Sequence, residues 1–233
     1  MTFYHLGNIG FIQPYDTLLG ILHLLSLFVF SFKLSSIFKL HSNENLNFFI
    51  SFILIIILIS NLMFLISFIE IKLILIRILI NITCLLSLII YYYNHKNFNL
   101  FIHSFFKNIF FVPIIIFFLL SLSPVTDADS LDYHVGYGLN IINNGSFSPR
   151  YDWFHYMLSG HGEFFNLYSL LIGSPNFIHL IQFSSILVAI SCYDYVKKKY
   201  NSNFNFFLFL YSTPLLLWFL TANKSQLFCS ILF

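Results

Sequence analysis

The chain has 233 residues, of which 58% are hydrophobic and only 9% are charged, whereas an average soluble domain carries roughly 25% charged residues. A single soluble core could not bury this much apolar side chain, so the composition excludes a soluble globular domain and predicts an integral membrane protein. The formal net charge is only +2 and the lysines are scattered between apolar runs, which also excludes the basic patch that nucleic-acid binding needs.

Six segments are apolar enough to cross a membrane as helices, because a span needs roughly 20 mostly apolar residues for a hydrocarbon core of about 30 Å. In chain order they are Thr17–Phe38, Phe48–Ile69, Ile71–Tyr92, Ser104–Leu122, Asn176–Val196 and Phe204–Leu220. The second and third segments are separated only by the charged residues Glu70 and Lys72, which predicts a tight helical hairpin. A further apolar run from Leu227 to Phe233 is too short to cross, so we expect the chain to be the N-terminal part of a longer protein.

The basic residues predict the orientation of the spans, since short cytoplasmic loops are enriched in lysine and arginine. Three groups lie at span ends: Lys33 with Lys39, Lys96 with Lys107, and Lys197 with Lys198 and Lys199. Placing all three groups in the cytoplasm puts the polar loop Pro124–Gly162 on the outer face. Lys72 and Arg77, in the hairpin that this arrangement also places outside, do not fit the rule.

Most acidic residues of the chain lie in or beside this outer loop. Of the nine acidic residues, the group found there is Asp127, Asp129, Asp132, Asp152 and Glu163, with Arg150 as its single basic neighbour. The loop is therefore an acidic site with one cation, and it is where the chemistry of the chain is to be sought.

Part of this loop has the pattern of an amphipathic helix. At about 100° per residue, a helix over Asp129–Asn143 separates an apolar side from a polar side. The apolar side carries Leu131, Val135, Gly138, Leu139 and Ile142, and the polar side carries Asp129, Asp132, Tyr133, Gly136, Asn140 and Asn143. We expect this helix to lie along the membrane surface, with its apolar side in the lipid boundary or against the spans.

The acids at the start of this helix allow two interpretations. Asp127 and Asp129 form a D-x-D pattern with Asp132 one turn further on, and neighbouring carboxylates can hold a divalent cation or act as a general base. Alternatively, Thr126 or Asp127 is an N-cap, and the acids meet the positive end of the helix dipole. Spacing alone does not separate these interpretations.

Three further side chains are candidates for the site. His134 falls toward the apolar side of the predicted helix, which favours a packed histidine over a ligand or base. Arg150 could bind a phosphate through its fork of donors, or it could pair with Asp152. Glu163 begins a segment, Glu163–Ile172, that is too short to span and is predicted to be a second surface-lying or re-entrant helix.

The order of these parts resembles one known group of membrane enzymes over Ser104–Lys199. The segment PVTDADSLDYHV, Pro124–Val135, is similar to the form P-x-x-D-x-D-x-L-x-Y-H-L, and Asp129, Tyr133 and Gly145 match the spacing of the Asp, Tyr and Gly in that group. The group is that of bacterial GT-C-type membrane glycosyltransferases, which includes dolichyl-phosphate-mannose protein mannosyltransferases and aminoarabinose transferases. Three spans precede the loop here, whereas many members have one, which suggests a variant branch.

The resemblance implies transfer of a sugar from a polyprenyl-phosphate carrier to an acceptor on the outer face of a bacterial inner membrane. It implies that Asp129, or as second choice Asp127, is the catalytic base that takes the proton of the acceptor hydroxyl. The residues implied to bind the substrate are Asp132, Tyr133, His134, Arg150 and Glu163, of which Arg150 is the candidate for the carrier phosphate. Participation of a divalent cation stays open, and Asp127 and Asp129 would be its ligands.

The predicted fold class is all-α, a polytopic transmembrane helix bundle whose outer-face loop carries surface-lying amphipathic helices. Residues 1–103 would form three N-terminal membrane spans, and residues 104–233 a glycosyltransferase-like region that holds loop 124–162 and is cut short at its C-terminus. Two other classes stay open. A transporter or lipid-linked glycan flippase would need essential charged residues inside the spans, and a membrane scaffold would need no catalytic acids.

Overall fold

A computed structural model describes residues 14–69, 73–94, 111–126, 128, 130–148 and 161–200. Its helices are α1 (Pro14–Ile37), α2 (Glu44–Ser67), α3 (Leu73–Asn94), α4 (Phe111–Ser121), a π-helix (Ser130–Val135), α5 (Gly136–Asn144), α6 (His161–Ile172) and α7 (Phe177–Tyr200). No strand occurs in these ranges, so the all-α class is confirmed.

Four of the described helices are long and apolar enough to cross a membrane. They are Pro14–Ile37, Glu44–Ser67, Ile74–Tyr93 and Phe177–Lys197, and they correspond to the first, second, third and fifth predicted spans. The fourth predicted span is described only from Phe111 onwards, and the sixth lies outside the described residues. The chain is a multi-pass membrane protein.

Asparagine side chains fix the connection between α1 and α2. Asn43 caps α2 by accepting a hydrogen bond from the Leu46 N–H at 3.1 Å. Asn47 accepts from the Leu40 N–H at 2.8 Å and donates to the Ser35 carbonyl at 2.8 Å. These bonds satisfy backbone groups at the end of α1 and in the turn, so the two helices are held as an antiparallel pair.

The helices α2 and α3 both pack on α1. Phe28 of α1 contacts Phe52 of α2 with ring centroids 5.1 Å apart, and Ser26 of α1 lies 2.7 Å from Ser87 of α3 between hydroxyl oxygens. An open groove is lined by α2 between Ile55 and Met63 and by α3 between Ile80 and Cys84. The turn of the predicted hairpin, at Glu70 and Lys72, lies outside the described residues, and the described parts of the two helices pack on α1 rather than closely on each other.

The core of the bundle forms around α6. Every residue from Glu163 to Ile172 is buried, and α6 packs mainly on α2, α3 and α5. Its Phe164 ring meets Phe64 of α2 edge to face, with centroids 4.9 Å apart. Gly173 ends the helix with φ of 86°, a left-handed conformation that glycine adopts without strain. Thus α6 is enclosed by the bundle and has no exposed side of the kind that a surface-lying helix requires.

The two ends of the bundle differ in charge. The lysine side chains that the structure describes lie at one end, here called the basic end: Lys33, Lys39, Lys197 and Lys199. The rings of His41 and Tyr195, 5.2 Å apart, join the α1–α2 turn to α7 there. The opposite, acidic end holds Asp16, Asp132 and Glu163, and there the Phe147 N–H donates to the Ser67 carbonyl. Arg77, near the start of α3, lies toward the acidic end.

Candidate functional site

The acid-rich segment after α4 folds as the π-helix followed by α5. The predicted burial of Val135, Gly138 and Leu139 is confirmed, but a second set of side chains is also buried: Ser130, His134, Tyr137 and Ile141. A π-helix has more residues per turn than an α-helix. The side chains that follow it therefore point in directions different from those that one continuous α-helix would give them. An ideal α-helix over Asp129–Asn143 was therefore the wrong template, and of this second set it placed only His134 toward the apolar side.

A buried ion pair joins this segment to α6. His134 Nδ1 donates to Glu163 Oε1 at 2.9 Å, and the two residues are 4% and 5% exposed. It is the one ion pair in which the structure describes both side chains. Charged groups are expensive to bury in an apolar bundle unless they are paired, so this contact fixes the π-helix against the start of α6.

Asp132 and Tyr133 lie next to the ion pair in the chain. Asp132 is exposed, and the Tyr133 ring lies against the His134 ring with centroids 4.3 Å apart. The structure thus brings four predicted site residues to the acidic end: Asp132, Tyr133, His134 and Glu163. The other three, Asp127, Asp129 and Arg150, lie outside the described residues. Within the described ranges, no group of three or more His, Cys, Asp or Glu could hold a metal ion.

The pairing of His134 with Glu163 was missed from the sequence, where each residue was assigned to the substrate separately. A signal for it was present. Glu163 lies in the first turn of a helix that is otherwise mostly apolar, where a carboxylate needs a buried donor, and His134 was already placed toward the apolar side of its own helix. Matching a buried acid to a buried histidine 29 residues away would have suggested the contact.

Side chains at the start of α7 hold the beginning of the acid-rich segment. Asn176 Nδ2 donates to the Leu122 carbonyl at 3.2 Å, and His179 Nδ1 donates to the Ser123 carbonyl at 3.1 Å. Both carbonyls follow the last turn of α4, where a helix leaves acceptors without partners. Because Pro124 comes next, these bonds set where the loop leaves the bundle.

The sequence profile of the DUF1420 N-terminal domain matches residues 85–231, which is more than half of the chain. The chain belongs to the DUF1420 family. Comparison with curated proteins and with solved structures gives no match. The DUF1420 match includes α4, the π-helix and α5 to α7. The four site residues at the acidic end, Asp132, Tyr133, His134 and Glu163, therefore lie within the family domain.

A polar triad, in which His23 and Tyr168 are buried and Asn81 is half-buried, ties the DUF1420 domain to α1, which lies before the match. Asn81 Nδ2 donates to the Arg77 carbonyl at 2.9 Å, which leaves Asn81 Oδ1 to accept from His23 Nε2 at 3.0 Å. His23 Nδ1 then accepts from the Tyr168 hydroxyl at 3.0 Å. His23 in α1 and His179 in α7 are therefore hydrogen-bonded packing residues within their spans.

Replacing Gly138 with alanine is expected to loosen the contact between α5 and α6 in the DUF1420 domain. A Cβ at this position would lie 2.9 Å from Leu170 Cδ1 and 3.3 Å from Leu167 Cα. Overpacking outweighs the gain in helix propensity, so we expect a net loss of about 1–2 kcal/mol of unfolding free energy. The midpoint of thermal unfolding in micelles measures this loss of stability, and Asn143→Ala, on the exposed side of α5, is the control. Equal midpoints for the two variants would contradict the close packing.

Proposed function

We propose that this DUF1420 protein is a membrane glycosyltransferase that moves a sugar from a polyprenyl-phosphate carrier to an acceptor on the outer face of a bacterial inner membrane. The observation that carries the proposal is the buried ion pair between His134 and Glu163. It anchors the segment whose sequence resembles the GT-C loop, and ionisable groups buried in a membrane bundle are kept for function by default. The π-helix supports the same conclusion, since such turns are frequent at functional sites.

The proposed reaction is a displacement at the anomeric carbon of the carrier-linked sugar. Asp129, or Asp127 as second choice, takes the proton of the acceptor hydroxyl as its oxygen attacks the anomeric carbon. The bond from that carbon to the carrier phosphate oxygen breaks, and the phosphate leaves with the electron pair. Arg150 offers donors to this phosphate. A divalent cation held by Asp127 and Asp129 would supply the same neutralisation, and its presence stays open.

The described site residues have two proposed roles. Asp132 and Tyr133, which lie beside the ion pair, contact the acceptor. His134 and Glu163 hold the π-helix in place, and through it they position the acids that come just before it in the chain. That all of them bind substrate, as the resemblance implies, stays a prediction.

The charge difference between the ends of the bundle supports the proposed orientation. The basic end carries the described lysines, and basic residues are retained in the cytoplasm. The acidic end with Asp132 and Glu163 then faces outward, where polyprenyl-linked sugars are used. An opposite orientation would place four lysines outside.

A flippase or transporter is the competing class, and one experiment separates it from a transferase. Disruption of the gene in its host should abolish one surface glycan and leave its lipid-linked donor in the outer leaflet, accessible to a membrane-impermeant reagent. A donor trapped in the inner leaflet would instead support a flippase. An unchanged glycan and donor pool would contradict both and leave a noncatalytic scaffold.

A further inference from the structure

A groove of about 450 Å³ lies between α2 and α3 with α1 as its floor. Apolar side chains from all three helices line it, among them Phe30, Leu34, Leu58 and Ile80. Along α1 it extends from His23 to Ile37, which at 1.5 Å per residue is about 21 Å. That length exceeds half of a hydrocarbon core of about 30 Å, so the groove follows one leaflet from its headgroup region to the bilayer centre.

The polar side chains along the groove bond within the protein. The pairs are Ser26 with Ser87, Thr83 with the Ile80 carbonyl, Cys84 with the Leu22 carbonyl, and His23 with both Tyr168 and Asn81. A surface whose polar groups are satisfied internally presents only hydrocarbon to an occupant. Among the described residues that line the groove, Lys33 alone carries a charge.

Lys33 lies at the basic end of the bundle, where the groove meets the headgroup region. Lys39, Lys197 and Lys199 lie at the same end, and Glu44 is the acid with a described side chain there. Excess positive charge next to the mouth of a hydrocarbon-lined groove is complementary to an anionic lipid headgroup, which each nearby lysine attracts.

We propose that this groove binds one acyl chain of an anionic glycerophospholipid, with the phosphate headgroup at Lys33. The site is separate from that of the proposed glycosyl transfer. Asp132 and Glu163 lie at the acidic end, on the far side of the bundle, so a headgroup at Lys33 is remote from them. The inference goes beyond the proposed function and does not depend on it.

Native mass spectrometry of the full chain tests the proposal. The protein is purified in mixed micelles that contain equal amounts of phosphatidylglycerol and phosphatidylcholine, and the lipid retained by each chain is counted. We expect one phosphatidylglycerol to be retained in preference. Lys33→Gln should lower that preference about fivefold, the effect of one lysine near an anionic lipid, while Lys39→Gln, off the groove at the same end, should preserve most of it.

A second pair of variants tests the acyl-chain contact and keeps the proposal falsifiable. Leu58→Trp narrows the groove and should release the retained lipid, whereas Leu65→Trp is a matched control on α2 that does not line the groove. The two leucines are 59% and 58% exposed, so neither change disturbs the core. Equal retention of both lipids by the wild type, or equal behaviour within either variant pair, would overturn the proposal. Displacement by added polyprenyl phosphate would overturn the choice of a glycerophospholipid.

Discussion

Replacing His134 with leucine is expected to destabilise the bundle by about 3–5 kcal/mol, because it breaks a buried ion pair by removing one of its two members. Glu163→Leu should cost about 1–3 kcal/mol, since it removes the hydrogen-bond acceptor of the buried His134 ring. Denaturant unfolding in micelles measures both. The difference between the two variants is itself a test of which partner carries the charge that must be compensated.

The double variant His134→Leu, Glu163→Leu separates a structural role of the pair from a positioning role. Leucines of similar volume should recover most of the lost stability, because buried ion pairs are often replaced by apolar residues at little cost. If the loss of unfolding free energy in the double variant equals the sum of the losses in the two single variants, His134 and Glu163 are not directly coupled. If the pair positions the acid-rich segment, the refolded double variant stays slow in sugar transfer. Wild-type transfer by that variant would show that the pair serves the fold alone.

The second large effect is expected for Asp129→Asn, which should lower the rate of sugar transfer by about 10²–10⁴-fold while leaving insertion and abundance unchanged. An amide cannot take the acceptor proton, whereas its size and its capacity to cap a helix are similar to those of the acid. The measurement is the initial rate of transfer from a polyprenyl-phosphate sugar in membrane vesicles.

Asp132→Asn is the matched control, since this exposed acid is assigned to acceptor contact and should mainly raise KM. A full rate in Asp129→Asn together with a loss in Asp127→Asn would move the base to Asp127. Full rates in both variants would remove the base assignment.

The membrane spans could be predicted from the sequence because crossing a bilayer is a local requirement. Any segment that spans must be apolar over its own length and must satisfy its backbone internally, so α1, α2, α3 and α7 are visible in the hydropathy alone. The brevity of α6 was visible for the same reason. Its enclosure by α2, α3 and α5 was not, because burial depends on neighbours that are distant in the chain.

The geometry of the candidate site could be predicted only in part. Val135 and Leu139 were assigned correctly to the buried side. An α-helical period applied across a short π-helix still predicts the burial of some positions correctly. Tyr137 and Ile141 were not, because no residue pattern in Ser130–Val135 announced a π-turn. The contact between His134 and Glu163 required both the π-helix and the depth of α6, neither of which is encoded locally. The roles of Asp127, Asp129 and Arg150 stay predictions.

The most direct test of the proposed transferase is a glycan and lipid-linked sugar profile of the host carrying Asp127→Asn, Asp129→Asn in the full-length gene. The wild type at equal membrane abundance is the reference. We predict loss of one defined glycan and accumulation of its polyprenyl-phosphate donor in the outer leaflet. Unchanged glycans and an unchanged donor pool would contradict catalysis by these acids, and would leave them as helix caps in a transporter or scaffold.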